Sequence, residues 1–106
     1  MLFDWIKQLF KSEKNAYLKD IISDGAFLVD VRTPAEFSES HISGSVNIPL
    51  NTISQRLELF RNKKHIIVFC RSGNRSAQAK MILEQNGFKQ VFDGGSWKNV
   101  KQWINS

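Results

Sequence analysis

Residues 65–76 read His65-Ile66-Ile67-Val68-Phe69-Cys70-Arg71-Ser72-Gly73-Asn74-Arg75-Ser76, and this stretch decides the fold. Its first five residues form a short apolar run of the kind that makes a strand buried on both faces. The chain's single cysteine follows at once, then small, polar and basic residues. From Ser76 to Asn86 the spacing of Ala79, Ile82 and Leu83 predicts a helix, with Gly87 as its C-terminal cap. Strand, tight turn and helix in that order are half of a βαβ unit.

The flanking sequence repeats the pattern. "AFLVDV" (residues 26–31), "SVNIPL" (45–50) and "KQVFDGG" (89–95) read as further short strands. Between them lie a turn of helix capped by Thr33 with Pro34 at its first position, a helix over Thr52–Phe60 and a last helix over Ser96–Ile104. Upstream, Leu2, Phe3, Ile6, Leu9 and Phe10 recur at helical spacing, and a second helix is expected from Asn15 to Ser23 before Asp24-Gly25. Continuous apolar strands alternating with helices define an α/β chain with a parallel sheet covered on both faces. Ligands bind such sheets at the carboxyl ends of the strands, and Cys70 stands at one.

Composition narrows the function. With 106 residues, 42% hydrophobic and 24% charged, the chain has the makings of one core. No apolar run reaches the roughly 20 residues that cross a bilayer. The opening "MLFDWIKQLFKSEK" mixes Asp4, Lys7 and Gln8 into its apolar residues, so no export signal is read and a cytoplasmic setting is expected. One cysteine excludes an internal disulfide and any cysteine-rich zinc site. Two histidines, His41 and His65, without clustered carboxylates speak against a catalytic metal. The net charge of +5 is scattered and not interleaved with aromatics, which argues against a nucleic-acid platform.

The turn after Cys70 carries the chemistry. Gly73 lets the backbone adopt conformations in which successive N–H groups converge, and the helix beyond adds its unpaired N–H groups and positive dipole end. Such a loop cradles anions and favours a thiolate at its base. Arg71 and Arg75 add positive charge. An activated sulfur in an anion-binding pocket suits either a phosphatase, whose thiolate attacks phosphorus, or a sulfurtransferase, whose thiolate attacks a sulfane sulfur.

Three blocks resemble one family. Cys70-Arg71-Ser72-Gly73-Asn74-Arg75 resembles the active-site loop of single-domain rhodaneses, the thiosulfate sulfurtransferase-like proteins. Asp30-Val31-Arg32-Thr33-Pro34-Ala35-Glu36-Phe37, leading to His41-Ile42-Ser43-Gly44-Ser45-Val46-Asn47-Ile48-Pro49, resembles the family's other signature, and Asp93-Gly94-Gly95 resembles its closing turn. The resemblance implies a rhodanese-like domain over residues 14–106, with a central, mainly parallel five-stranded sheet flanked by helices on both faces. Residues 1–13 are then an amphipathic extension, favoured to pack on its own domain, with a partner contact next and a membrane surface last.

By the same resemblance, Cys70 takes a sulfane sulfur from thiosulfate or a persulfide donor and passes it to cyanide, a thiol or a protein. No cofactor is implied. Arg71, Ser72, Gly73, Asn74 and Arg75 are implied to bind the substrate, and Asp30, Arg32, Glu36 and His41 to support the site. Four residues separate Cys70 from Arg75, one fewer than in the phosphatase loop, which favours sulfur over phosphate or arsenate. A non-catalytic sulfur-carrier or protein-binding module is the alternative, and the presence of the cysteine counts against it. Trp97 lies closer to the paired glycines than the family's tryptophan, so the match beyond Gly95 is loose. Trp97 and Trp103 are expected to pack the last helix.

Overall fold

Strand β3 (Ile66–Cys70) is the axis of the molecule, and every one of its side chains is buried. A computed structural model describes residues 2–104, with side chains described from residue 13 onward. Beside β3 lie β1 (Phe27–Asp30) and β4 (Val91–Ser96), and β2 (Val46–Asn47) completes the order β2-β1-β3-β4. All three pairings are parallel. The fold is thus α/β with a parallel sheet of four strands among the described residues, not the five expected. The residues before Phe27 are helical, because Leu18, Ile21 and Ile22 sit at helical spacing, and none of them alternates as a strand would.

Helix α1 runs without interruption over Leu2–Ser23. Two helices were expected here, the second starting at Asn15, with Lys11-Ser12-Glu13-Lys14 lying between them. That stretch contains neither Gly nor Pro, however, and polar residues alone do not stop a helix. Helices α2 (Pro34–Glu39), α3 (Asn74–Gln85) and α4 (Trp97–Ile104) follow. The helix expected over Thr52–Phe60 is two short 3-10 helices, Leu50–Gln55 and Leu57–Phe60. None of the described helices is long and apolar enough to cross a membrane.

Alternation along β3 divides the core into two layers. Ile66, Val68 and Cys70 face one side, packed with Ala79 and Leu83 of α3 and with Ile53 and Phe60 of the 3-10 helices. Ile67 and Phe69 face the other, against Leu18 and Ile21 of α1 and Val100 of α4. Each fully buried Val, Leu, Ile or Phe among them contributes about 1.5–3 kcal/mol. The parity matters for function, since it sends the thiol toward the start of α3 and away from α1.

The pairing of β3 with β4 is regular up to Val68↔Asp93 and resumes at Phe69↔Gly95, so Gly94 is an extra residue on β4. A Cβ on Gly94 would stand 2.8 Å from Val100 Cγ2 and 3.0 Å from Ile67 Cγ2. Only glycine lets α4 close on the sheet at this point. The bulge leaves Ser96 opposite Cys70, and α4 starts at the next residue.

Candidate active site

Cys70 ends β3 with its side chain fully buried, and the chain turns over it. Gly73, at φ +101°, makes the left-handed step that directs the chain into α3. Its amide donates to Cys70 Sγ at 3.0 Å, and the amide of Ser76 donates to the same sulfur at 3.4 Å. The Cys70 thiol donates to Ser76 Oγ at 3.6 Å, while that hydroxyl donates to the Gly73 carbonyl at 3.0 Å. Burial pushes the thiol pKa up. The Ser76 hydroxyl and the amides of Ser76, Gly73 and Ser72 outweigh it, and the net displacement is downward.

Among the expected loop residues, Gly73 therefore touches the sulfur directly and Ser72 through its amide's influence. Arg71 and Asn74 are exposed and make no hydrogen bond to the sulfur. Arg75 turns away: its Nη1 donates to Glu36 Oε1 at 2.6 Å and its Nη2 to Glu36 Oε2 at 3.1 Å. Ser76 is the residue that the reading of the loop did not count, although it supplies two contacts to the sulfur. Its position in the first turn of α3, where N–H groups lack helical partners, was the available signal.

The supporting residues form two separate pairs. Arg32 grips Asp30 through Nε at 2.9 and 3.0 Å and through Nη2 at 2.7 Å, and both side chains are buried. The same Nη2 donates to the Ser40 carbonyl at 2.7 Å. Asn47 Nδ2 donates to the carbonyls of Asp30 and Arg32, so this pair fixes the chain leaving β1. Glu36 belongs to the other pair. It also closes a capping box with Thr33 at the start of α2, and it is bonded to Arg75 across the loop. Arg75 and the Thr33 backbone amide hold its carboxyl down to about 2. His41 stands outside both pairs, exposed, its Nδ1–H donating to the Phe37 carbonyl at 2.8 Å and its ring stacked on Phe37.

Over the strand ends opens a cleft of about 400 Å³ lined by Arg32, Glu36, Glu39, Ser40, Arg71, Ser96, Trp97 and Lys98. It joins the β1–α2 segment to the residue after Cys70, with the β4–α4 turn as its third wall. Trp97 packs partly into the second core layer, as expected, and also presents its ring to the Arg32 guanidinium at 4.8 Å. Glu39, Ser40, Ser96 and Lys98 were not legible as site residues, because the topology alone brings them to the cleft.

The rhodanese-like domain model matches residues 14–102, and the chain belongs to that family. Thiosulfate sulfurtransferase PspE of Escherichia coli K12 is 34% identical over 74 residues, covering 68% of this chain and 71% of that protein. Thiosulfate sulfurtransferase GlpE of Pseudomonas aeruginosa PAO1 is 32% identical over 87 residues, covering 78% of this chain and 79% of that protein. A solved rhodanese with anions from E. coli superposes with a TM-score of 0.64 at 32% identity, covering 71% of this chain and 91% of that one. These relatives support sulfur transfer as the general activity.

Proposed function

We propose that the chain is a rhodanese-type sulfurtransferase working through a persulfide on Cys70. The observation that carries this reading is the pair of amide donors, Gly73 at 3.0 Å and Ser76 at 3.4 Å, that converge on a buried sulfur whose pKa is displaced downward. In the first step the Cys70 thiolate attacks the outer sulfur of thiosulfate. A Cys70–S–S⁻ persulfide forms, and sulfite leaves with the electron pair of the broken S–S bond. The negative charge passes from Cys70 Sγ to the outer sulfur of the persulfide and stays within the loop, whose backbone donors supply a preorganised electrostatic stabilisation. An acceptor such as cyanide, a thiol or a protein removes the outer sulfur. With no second cysteine in the chain, that acceptor is external.

The cytoplasm, where a lone thiol stays reduced, is the proposed setting. Residues 1–13 are proposed as an extension added to the domain over 14–106. Asp30, Arg32, Glu36 and His41 are proposed to hold the walls of the site and take no part in proton transfer, since the thiolate needs no base.

Intact-protein mass spectrometry after incubation with thiosulfate tests the mechanism. The expected result is a gain of one sulfur atom, lost on adding cyanide and absent in Cys70→Ser. Sulfur transfer surviving in Cys70→Ser would overturn the mechanism. The rate of the first step should also fall as pH drops through an acidic limb below the free-cysteine value of about 8.5. Ser76→Ala should move that limb upward, because once the sulfur is ionised the Ser76 hydroxyl can turn to donate to it, and the substitution removes that donor.

A further inference from the structure

The two edges of the sheet are unequal. At one, β2 is 2 residues long and Pro49 lies just beyond it, so it offers little for another strand to read. At the other, β4 is the last strand in the order, and nothing among the described residues is hydrogen-bonded to its outer side. Register shows which of its groups are free. The Ile66 amide donates to the Gln90 carbonyl at 2.9 Å, and Ile66 pairs with Val91. In a parallel ladder this puts both backbone groups of Phe92 on β3 and turns those of Val91 and Asp93 outward. The bulge at Gly94 ends the regular stretch. Its one charge, Asp93, is turned back on its own chain, where Oδ1 accepts from the Gly95 amide at 2.9 Å. Val91-Phe92-Asp93 is therefore a short open edge without the charged guard that usually protects one.

Free N–H and C=O groups in this arrangement are matched by another extended backbone, and a second copy of the same edge matches them in full. With two β4 strands antiparallel about a twofold axis at Phe92, Val91 stands opposite the other copy's Asp93. Each such pair exchanges both of its hydrogen bonds, so no outward group is left over. Phe92 then meets its own counterpart as a non-hydrogen-bonded pair, the closer kind. It does so on the α1 face of the sheet, where the Tyr17 ring lies 5.4 Å from that of Phe92 and is 47% exposed. A peptide of other sequence would match the backbone alone, whereas the copy also covers this aromatic surface. The geometry points to a symmetric dimer in which two sheets join edge to edge through Val91, Phe92 and Asp93. So short a seam makes the dimer weak, with a dissociation constant between about 1 μM and 1 mM. None of the three residues lines the cleft, so the dimer and the sulfur-transfer reading stand or fall separately.

Sedimentation velocity of the full chain, from about 10 μM to about 1 mM, would follow association, and amide hydrogen exchange read by NMR over the same range would locate it. The sedimentation coefficient should rise with concentration. The Val91 and Asp93 amides should slow by about tenfold once about nine-tenths of the chains are paired, while the Phe92 amide, bonded to β3, stays protected at every concentration. Phe92→Lys sets like charges face to face and should weaken the dimer by at least about tenfold. Circular dichroism would establish that this variant is folded, and if it is not, the exchange of the unaltered chain decides alone. A chain monomeric throughout would overturn the inference. So would a dimer whose Val91 and Asp93 amides exchange at the monomer rate, or one that a folded Phe92→Lys leaves intact. Protection of those amides at every concentration would also overturn it, since it would mark a contact within one copy.

Discussion

Two arginine–carboxylate pairs flank the cysteine loop, similar in chemistry and opposite in setting. Asp30 and Arg32 are two residues apart and sealed, with side-chain exposures of 0% and 5%. Glu36 and Arg75 come from elements 39 residues apart and keep 25% and 31% of their side-chain surface. The first pair leaves water altogether, so its worth depends on complete hydrogen bonding, and Arg32 meets that demand through both carboxylate oxygens and the Ser40 carbonyl. The second remains partly solvated and acts as a strap between α2 and α3. Burial, not the identity of the partners, decides which pair shapes the site and which trims its stability.

The largest expected effect comes from breaking the sealed pair on one side. Asp30→Ala leaves the Arg32 guanidinium buried without its carboxylate and should cost about 3–5 kcal/mol in denaturant unfolding. The double replacement Asp30→Leu with Arg32→Met sharpens the contrast. It removes both charges at once and should recover most of that loss, while sulfur transfer stays low because the Ser40 and Asn47 segments lose their anchor. A double variant no more stable than Asp30→Ala would show that the pair's hydrogen bonds matter more than its desolvation.

The strap should yield least. Glu36→Gln is expected to cost about 1 kcal/mol or less, since the pair is part-solvated. Its contribution has a defined pH window. The folded carboxyl is lowered to about 2 from 4.5, so the stabilisation is complete above the unfolded value and is lost as pH falls from 4.5 through about 2. Acid unfolding curves of wild type and Glu36→Gln should therefore converge in that interval. Curves that keep a constant gap down to the lower limit would show that the difference does not come from the ionised Glu36 carboxylate, and curves that coincide throughout would show that the strap contributes nothing.

The sulfur-bearing half of the site was legible because it is local. Gly73, the loop amides and the start of α3 lie within a few residues of Cys70, and the need for a turn dictates their geometry. The parallel sheet was legible from continuous apolar strands for the same reason. Ionic partners were not, because a guanidinium such as that of Arg75 can reach any carboxylate that the topology brings near. Its bond to Glu36 became visible only once α2 and α3 were placed. Lys98 and Glu39 meet at the cleft by the same long-range closure. The continuous α1 illustrates a different limit: a polar stretch without glycine or proline looks like a boundary in composition and is none to a helix.

The seal over Cys70 also sets a clock. Cys70 has no exposed surface, so a reagent is expected to reach its sulfur only through a local opening of the loop. At low reagent concentration, the rate of modification grows with each collision. At high concentration it must level off at the rate at which the loop opens, whatever the reagent. Such a plateau would be a property of the protein alone, and in the proposed reaction it would cap how fast sulfur enters however abundant the donor.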